Sequence, residues 1–183
     1  MNDPQLADGR FLSSVERRDK DALVDHLQVR EIWRNTFRIP RPYTESDAET
    51  WIEERIRHRT EQPKETTFAI RTVDGHLIGV VGADDFVIGS SHRARIGYWL
   101  AEPYWNRGIM TEAVRRFVHY AFETLDVVRL TAEVFVWNDA SARVLRKTGF
   151  TQEGRLRSHR EKDGTLVDVL YFGLLRADLY GND

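Results

Sequence analysis

The feature that most constrains the fold is a regular helical segment between two stretches that read as strands. After Gly108, the residues Met110, Ala113, Val114, Phe117, Val118 and Ala121 recur at spacings of three and four. Glu112, Arg115, Arg116 and His119 fall opposite them. Residues 93–101 alternate and are rich in β-formers, and residues 127–137 read as a second strand. A helix between two strands of one sheet implies a crossover connection and a helix packed on the sheet face.

The rest of the chain fits the same class. A short strand is expected over residues 10–15, then a helix with Asp19 or Asp21 as cap and Ala22, Leu23 and Leu27 on one side. Residues 30–43 look irregular and aromatic, punctuated by Pro40 and Pro42. Thr44-Glu45-Ser46-Asp47 opens a second helix, with Ala48, Trp51, Ile52 and Ile56 as its stripe. Asp74-Gly75 predicts a hairpin between strands at 67–73 and 76–86. A helix is predicted over 140–148, stopped by Gly149, and residues 150–175 read as two strands around Asp163-Gly164. The expectation is an α/β (α+β) fold, with a mixed central sheet, helices on both faces, and one domain over residues 1–183.

Composition narrows the function. The 183 residues carry 27 Lys and Arg against 29 Asp and Glu, a net charge of −2. Such a chain has no global field to hold nucleic acid or an anionic membrane, so neither is expected as a partner. With no cysteine, thiolate chemistry and cysteine metal sites are excluded, and the histidines show no metal spacing. The first ten residues are polar, no apolar run approaches a membrane span, and a cytoplasmic protein is the expectation.

Two segments carry the chemistry. The first runs from Gly97-Tyr98-Trp99-Leu100-Ala101 through Tyr104-Trp105-Asn106-Arg107-Gly108 to Ile109-Met110-Thr111: a strand, a turn and a helix start. The first amides of a helix lack intrahelical partners and lie at the positive end of its dipole, where a pyrophosphate can sit. Gly108 would let the backbone approach it, with Arg107 adding charge and the Thr111 hydroxyl a donor. An ordinary strand-to-helix connection would use the same glycine, and the motif is neither a Walker loop nor a dinucleotide fingerprint.

The second segment is Asn138-Asp139-Ala140-Ser141-Ala142-Arg143-Val144-Leu145-Arg146-Lys147-Thr148-Gly149-Phe150. Together the two resemble the GNAT acetyltransferases, in particular the ribosomal-protein N-acetyltransferase (RimJ/RimL-like) branch. Glu153-Gly154, Leu156-Arg157, Gly164 and Asp168 look like that branch's C-terminal pattern, and Pro42-Tyr43-Thr44 with Trp51-Ile52 is similar to its substrate region. The resemblance covers nearly the whole chain and implies a single GNAT-like domain.

It also implies roles. Backbone groups of Trp99, Leu100 and Ala101 would meet the pantetheine arm of acetyl-CoA where the sheet splays after Tyr98-Trp99. Amides of Arg107, Gly108, Ile109, Met110 and Thr111 would hold the pyrophosphate. Asn138 would bond the arm, and Ser141 would lie near the sulfur, although both residue types also suit helix capping. Met110 departs from the usual small residue, and its place in the apolar stripe predicts that it turns into the core.

The base is less legible. An alkyl amine with a pKa of about 10.4 must lose a proton before attack, whereas an α-amine at about 7.7–8.0 needs less help. Where some relatives carry a late carboxylate this chain has Arg160, flanked by His159 and Glu161, which in a regular strand share the opposite face. Asp84 and Asp85 are further candidates, while Glu153 and Asp168 read as partners for Arg157. The acceptor reads as a protein or peptide α-amine, with a small amine, a succinyl donor or a non-catalytic acyl-CoA-binding module as alternatives. Arg30, Arg34, Arg38 and Arg41 against Glu31 argue against a polycation. A homodimer is left open.

Overall fold

Among the described residues, seven strands form one sheet: β1 (Phe11–Ser14), β2 (Thr67–Arg71), β3 (Leu77–Asp84), β4 (Arg93–Leu100), β5 (Arg129–Phe135), β6 (Thr151–Lys162) and β7 (Thr165–Leu175). The helices are α1 (Lys20–Leu27), α2 (Arg30–Arg34), α3 (Glu45–Glu61), α4 (Ile109–Thr124), α5 (Asp139–Lys147) and α6 (Arg176–Tyr180). The computed structural model describes residues 5–62, 64–84 and 92–181, so the candidate Asp85 and the expected strand end at Phe86 lie outside it. The hydrogen-bonded order is β1-β2-β3-β4-β5-β7-β6. β4 and β5 are parallel, while β1/β2, β2/β3, β5/β7 and β6/β7 are antiparallel. The sheet is therefore mixed, and the parallel pair is the one that flanks α4 in sequence. Two short helices escaped the periodicity reading: α2, inside the stretch expected to be irregular, and α6. Five residues are too few to display a stripe.

The chain divides into two compact units, Met1–Gly82 with Tyr98–Ala113, and Ala83–Gly97 with Val114–Asp183. The first is organised around Arg71, which is 1% exposed on β2. Its guanidinium donates to Asp19 Oδ1 at 2.7 Å and Oδ2 at 2.8 Å, and to Ser13 Oγ at 2.5 Å. It also reaches the Ser14 carbonyl at 3.0 Å and the Gly75 carbonyl at 3.2 Å. One side chain thus ties β1, the β2–β3 turn and the segment leading into α1. Asp19, expected as a cap of α1, makes no side-chain cap bond there; both its oxygens serve Arg71, and Oδ2 also accepts from Glu16 N–H at 2.8 Å. Thr44 does cap α3: its Oγ1 accepts from Asp47 N–H, and Asp47 Oδ2 accepts from Thr44 N–H. Leu23, Leu27, Ala48 and Ile52 then pack with Ala69 and Val80 in the core of this unit.

In the second unit Phe117, Val118 and Ala121 of α4 are buried, as the three-four spacing predicts, and Phe122 is buried beside them. Helix α5 ends where Gly149, at φ 95°, takes the left-handed conformation. Phe150 N–H reaches the Leu145 carbonyl and Gly149 N–H the Arg146 carbonyl, which satisfies the last turn. The long β6–β7 hairpin slips register between Leu156 and Arg160, with Ser158 at φ 48°. No helix among the described residues is long and apolar enough to cross a membrane.

The Arg71 pair makes a direct prediction. Asp19→Ala leaves a buried guanidinium without its counter-charge, which costs about 3–5 kcal/mol. Urea unfolding monitored by circular dichroism should show that loss; a cost below about 1 kcal/mol, the size of an exposed pair, would contradict it.

Candidate active site

Strand β4 ends on two bonds. The Trp105 indole Nε1 donates to the Leu100 carbonyl at 2.7 Å, and Ala101 N–H donates to the Ile78 carbonyl at 2.8 Å. Gly79 lets β3 pass this point: a Cβ there would stand 2.6 Å from the Trp99 carbonyl. Because Tyr104 N–H also reaches the Ala101 carbonyl, both main-chain groups of Ala101 are engaged within the protein. Of the three residues expected to face the pantetheine arm, Ala101 therefore has the least to offer. The ladder between β4 and β5 is also shorter than expected. It runs from Arg93↔Arg129 to Arg95↔Thr131 among the described residues, so pairing stops before Tyr98-Trp99.

Beyond Trp105 the chain turns through Asn106 at φ 60° and Gly108 at φ 77°. Only glycine holds the latter without strain, and a Cβ there would meet nothing within 4 Å, so the backbone is open. The Gly108 carbonyl accepts from Glu112 N–H at 3.1 Å, which starts α4. Helix geometry leaves the amides of Ile109, Met110 and Thr111 without an acceptor inside α4. Met110 is 8% exposed and Ile109 1%, so both side chains turn into the core. Arg107 and Gly108 are exposed and Thr111 is half-buried. The Arg107 guanidinium lies 5.9 Å from the centre of the Tyr104 ring. The turn is thus an open set of amides flanked by a cation, which fits an anionic group such as a pyrophosphate.

At the start of α5, Asn138 Oδ1 accepts from Ser141 N–H at 3.1 Å. The capping role of Asn138 is realised, and it leaves the amide nitrogen of that side chain outside the cap. Asn138 N–H returns to the Phe135 carbonyl at 2.8 Å, and the Phe135 and Trp137 rings stack 4.7 Å apart ahead of it. Ser141 is the third residue of the helix and half-buried.

A residue passed over in the sequence, Glu133 on β5, gathers the charged candidates. Its side chain is 7% exposed. Arg160 Nε donates to Oε2 at 2.7 Å, while Arg95 Nη1 and His159 Nε2 stand 3.6 and 3.7 Å from Oε1. Arg95 also bonds Asp84, at 3.2 Å. His159 and Arg160 therefore reach the same carboxylate, contrary to the expected alternation, because the irregularity at Ser158 resets the strand. Glu161 is exposed and pairs with Leu166 in the β6–β7 ladder. Glu153 bonds Arg129, while Asp168 bonds Arg155, also feels the charge of Arg157, and through Oδ1 accepts from Ser158 N–H at 2.8 Å. The signal for Glu133 was its place as a lone carboxylate among Leu130, Ala132, Val134 and Phe135.

Burial pushes the Glu133 carboxyl up, but the Arg160 hydrogen bond and the charges of Arg160, Arg95 and His159 outweigh it and hold it below the usual range. A depressed carboxyl stabilises the fold above its unfolded pKa and loses that contribution as pH falls through the folded value. Arg160→Met should therefore let burial raise the Glu133 carboxyl toward or above the ordinary value. Carboxyl ¹³C titration reads this directly; an unmoved Glu133 would show that Arg160 is not its main partner.

The model of the acetyltransferase (GNAT) domain family matches residues 11–151. The probable N-acetyltransferase YjcK of Bacillus subtilis is 40% identical over 121 residues, 66% of this chain and 67% of that protein. The ribosomal-protein-S5-alanine acetyltransferase of Vibrio fischeri superposes with a TM-score of 0.83 at 18% identity, over 94% of this chain and 96% of that one. Spermidine N-acetyltransferase from Vibrio cholerae, solved with CoA and spermine, gives 0.77 at 20% identity, over 93% and 97%. The chain belongs to the GNAT acetyltransferase family, and with it to the acyl-CoA-dependent N-acyltransferases.

Proposed function

We propose that the chain moves an acetyl group from acetyl-CoA to a primary amine, by direct attack in a ternary complex, and that the acceptor is a protein or peptide N-terminal α-amine. The observation that carries this is the Trp105–Thr111 turn, where exposed Gly108 and Arg107 flank helix amides while Met110 is buried out of the way. In this reading the amides of residues 107–111 hold the pyrophosphate. Backbone groups of Trp99 and Leu100 and the Asn138 side chain hold the pantetheine arm. Bound acetyl-CoA supplies an activated thioester. As the amine nitrogen bonds the acyl carbon and the C–S bond breaks, Ser141 gives its hydroxyl proton to the departing sulfur and regains one from solvent. The whole chain, residues 1–183, acts as one catalytic domain.

For the proton on the amine, His159 is the proposed base, with the ionised Glu133 beside it as counter-charge to the imidazolium that forms. Glu161 follows it in the strand but is exposed. An α-amine, at about 7.7–8.0, needs less help in losing its proton than an alkyl amine at about 10.4. Arg30, Arg34, Arg38 and Arg41 are all exposed, which disfavours a polycationic acceptor. They also support a second reading, in which the acyl group or a small acceptor carries a carboxylate. The fold does not choose between acceptors, because one structural neighbour is named for the S5 alanine and another for spermidine.

The test is Ser141→Ala, assayed with acetyl-CoA against a panel of peptides, polyamines and amino acids. As the third residue of α5, alanine keeps the helix. Turnover should fall about 10²-fold, the low end for general acid help since a thiol leaves readily, while CoA affinity changes little. Equal losses in turnover and affinity would reduce Ser141 to a binding contact, and peptides inert beside a reactive small amine would overturn the α-amine acceptor.

A further inference from the structure

The N-terminal residues make an unexpected contact with the helix that starts at the proposed pyrophosphate turn. Ala7 N–H donates to Glu112 Oε1 at 2.6 Å, across 105 residues of sequence. The segment that presents this amide is built rather than loose. Leu6 is 5% exposed, its N–H reaches the Arg10 carbonyl at 2.7 Å, and Gln5 bridges to Phe11. Arg10 and Asp8 form an ion pair within the same turn.

Glu112 is the fourth residue of α4, in its first turn, and helical side chains lean toward the N-terminus. A mobile carboxylate there would compete with an anionic ligand for the amides and dipole of its own helix. No residue from Arg107 to Thr111 is acidic, so Glu112 is the first carboxylate in sequence after the turn. We propose that Ala7 is a positioning residue for the cosubstrate: its backbone amide pins the Glu112 carboxylate, so that the charge cannot fold over the amides that receive the pyrophosphate of acetyl-CoA. The inference rests on reading Trp105–Thr111 as that pyrophosphate site.

A backbone donor is removed by proline, and position 7 suits it. Ala7 is the first residue of a short helical turn, and Leu6 before it is extended at ψ 168°. CoA affinity is measured by calorimetry on the full chain for wild type, Ala7→Pro, Glu112→Gln and the double variant. Ala7→Pro should weaken CoA roughly two- to fivefold, the effect of one charge at a helix end, and less at high salt. Glu112→Gln alone should change affinity little, since glutamine still accepts from Ala7. The double variant should bind like wild type, because the freed side chain no longer carries charge. Unchanged affinity in folded Ala7→Pro, or a loss that Glu112→Gln does not rescue, overturns the positioning role. A wild type that does not bind CoA overturns the reading beneath it, and the proposal with it.

Discussion

The bond from the Trp105 indole to the Leu100 carbonyl decides where β4 stops, and the placement of the proposed site follows from that stop. A strand that ended one residue later would reverse the side of every following side chain and carry the turn past the start of α4. With the indole on Leu100 and Ala101 N–H on Ile78, the chain must bend, and Gly108 alone among its residues takes a left-handed φ at no steric cost. The helix amides then face outward because Ile109 and Met110 are drawn into the core. Apolar burial thus helps orient the polar end of the helix, together with the bond from Glu112 N–H to the Gly108 carbonyl.

Electrostatics in the two units follow one rule at different depths. Arg71 is buried, so its guanidinium needs a full set of acceptors and has them in Asp19, Ser13, Ser14 and Gly75. Glu133 is half-buried and draws Arg160, Arg95 and His159. The difference lies in reach. The Arg71 partners are backbone or short side chains that cannot move away, so the pair is a structural fixture. The Glu133 partners are side chains that reach it from β4 and β6, and the His159 side chain is 40% exposed. A carboxylate held ionised is a poor base itself and a good support for a neighbouring imidazole.

Much of this was legible from the residues. The α4 stripe and its flanking strands gave the parallel pair, Thr44 and Asp47 gave the start of α3, and the stripe spacing placed Met110 inside. What failed to read were features set by tertiary partners. Asp19 looks like a cap, but Arg71, 52 residues away, takes its carboxylate. His159 and Arg160 look like opposite faces of a strand, but a left-handed Ser158 brings both to Glu133. Local spacing carries no record of such long-range contacts, and irregular strands break the alternation on which spacing arguments depend. The Ala7 contact with Glu112 is the extreme case, a backbone donor that no residue type announces.

The proposed pyrophosphate site for an acyl-CoA is the Trp105–Thr111 turn. Its most direct measurement is the thermal unfolding of the full chain with and without acetyl-CoA. At ligand a hundredfold above its dissociation constant, binding to the native state alone adds about 2.7 kcal/mol of stability, and the melting temperature should climb with ligand concentration. A melting temperature that stays flat with acetyl-CoA and with other acyl-CoA thioesters would contradict an acyl-CoA site on this chain.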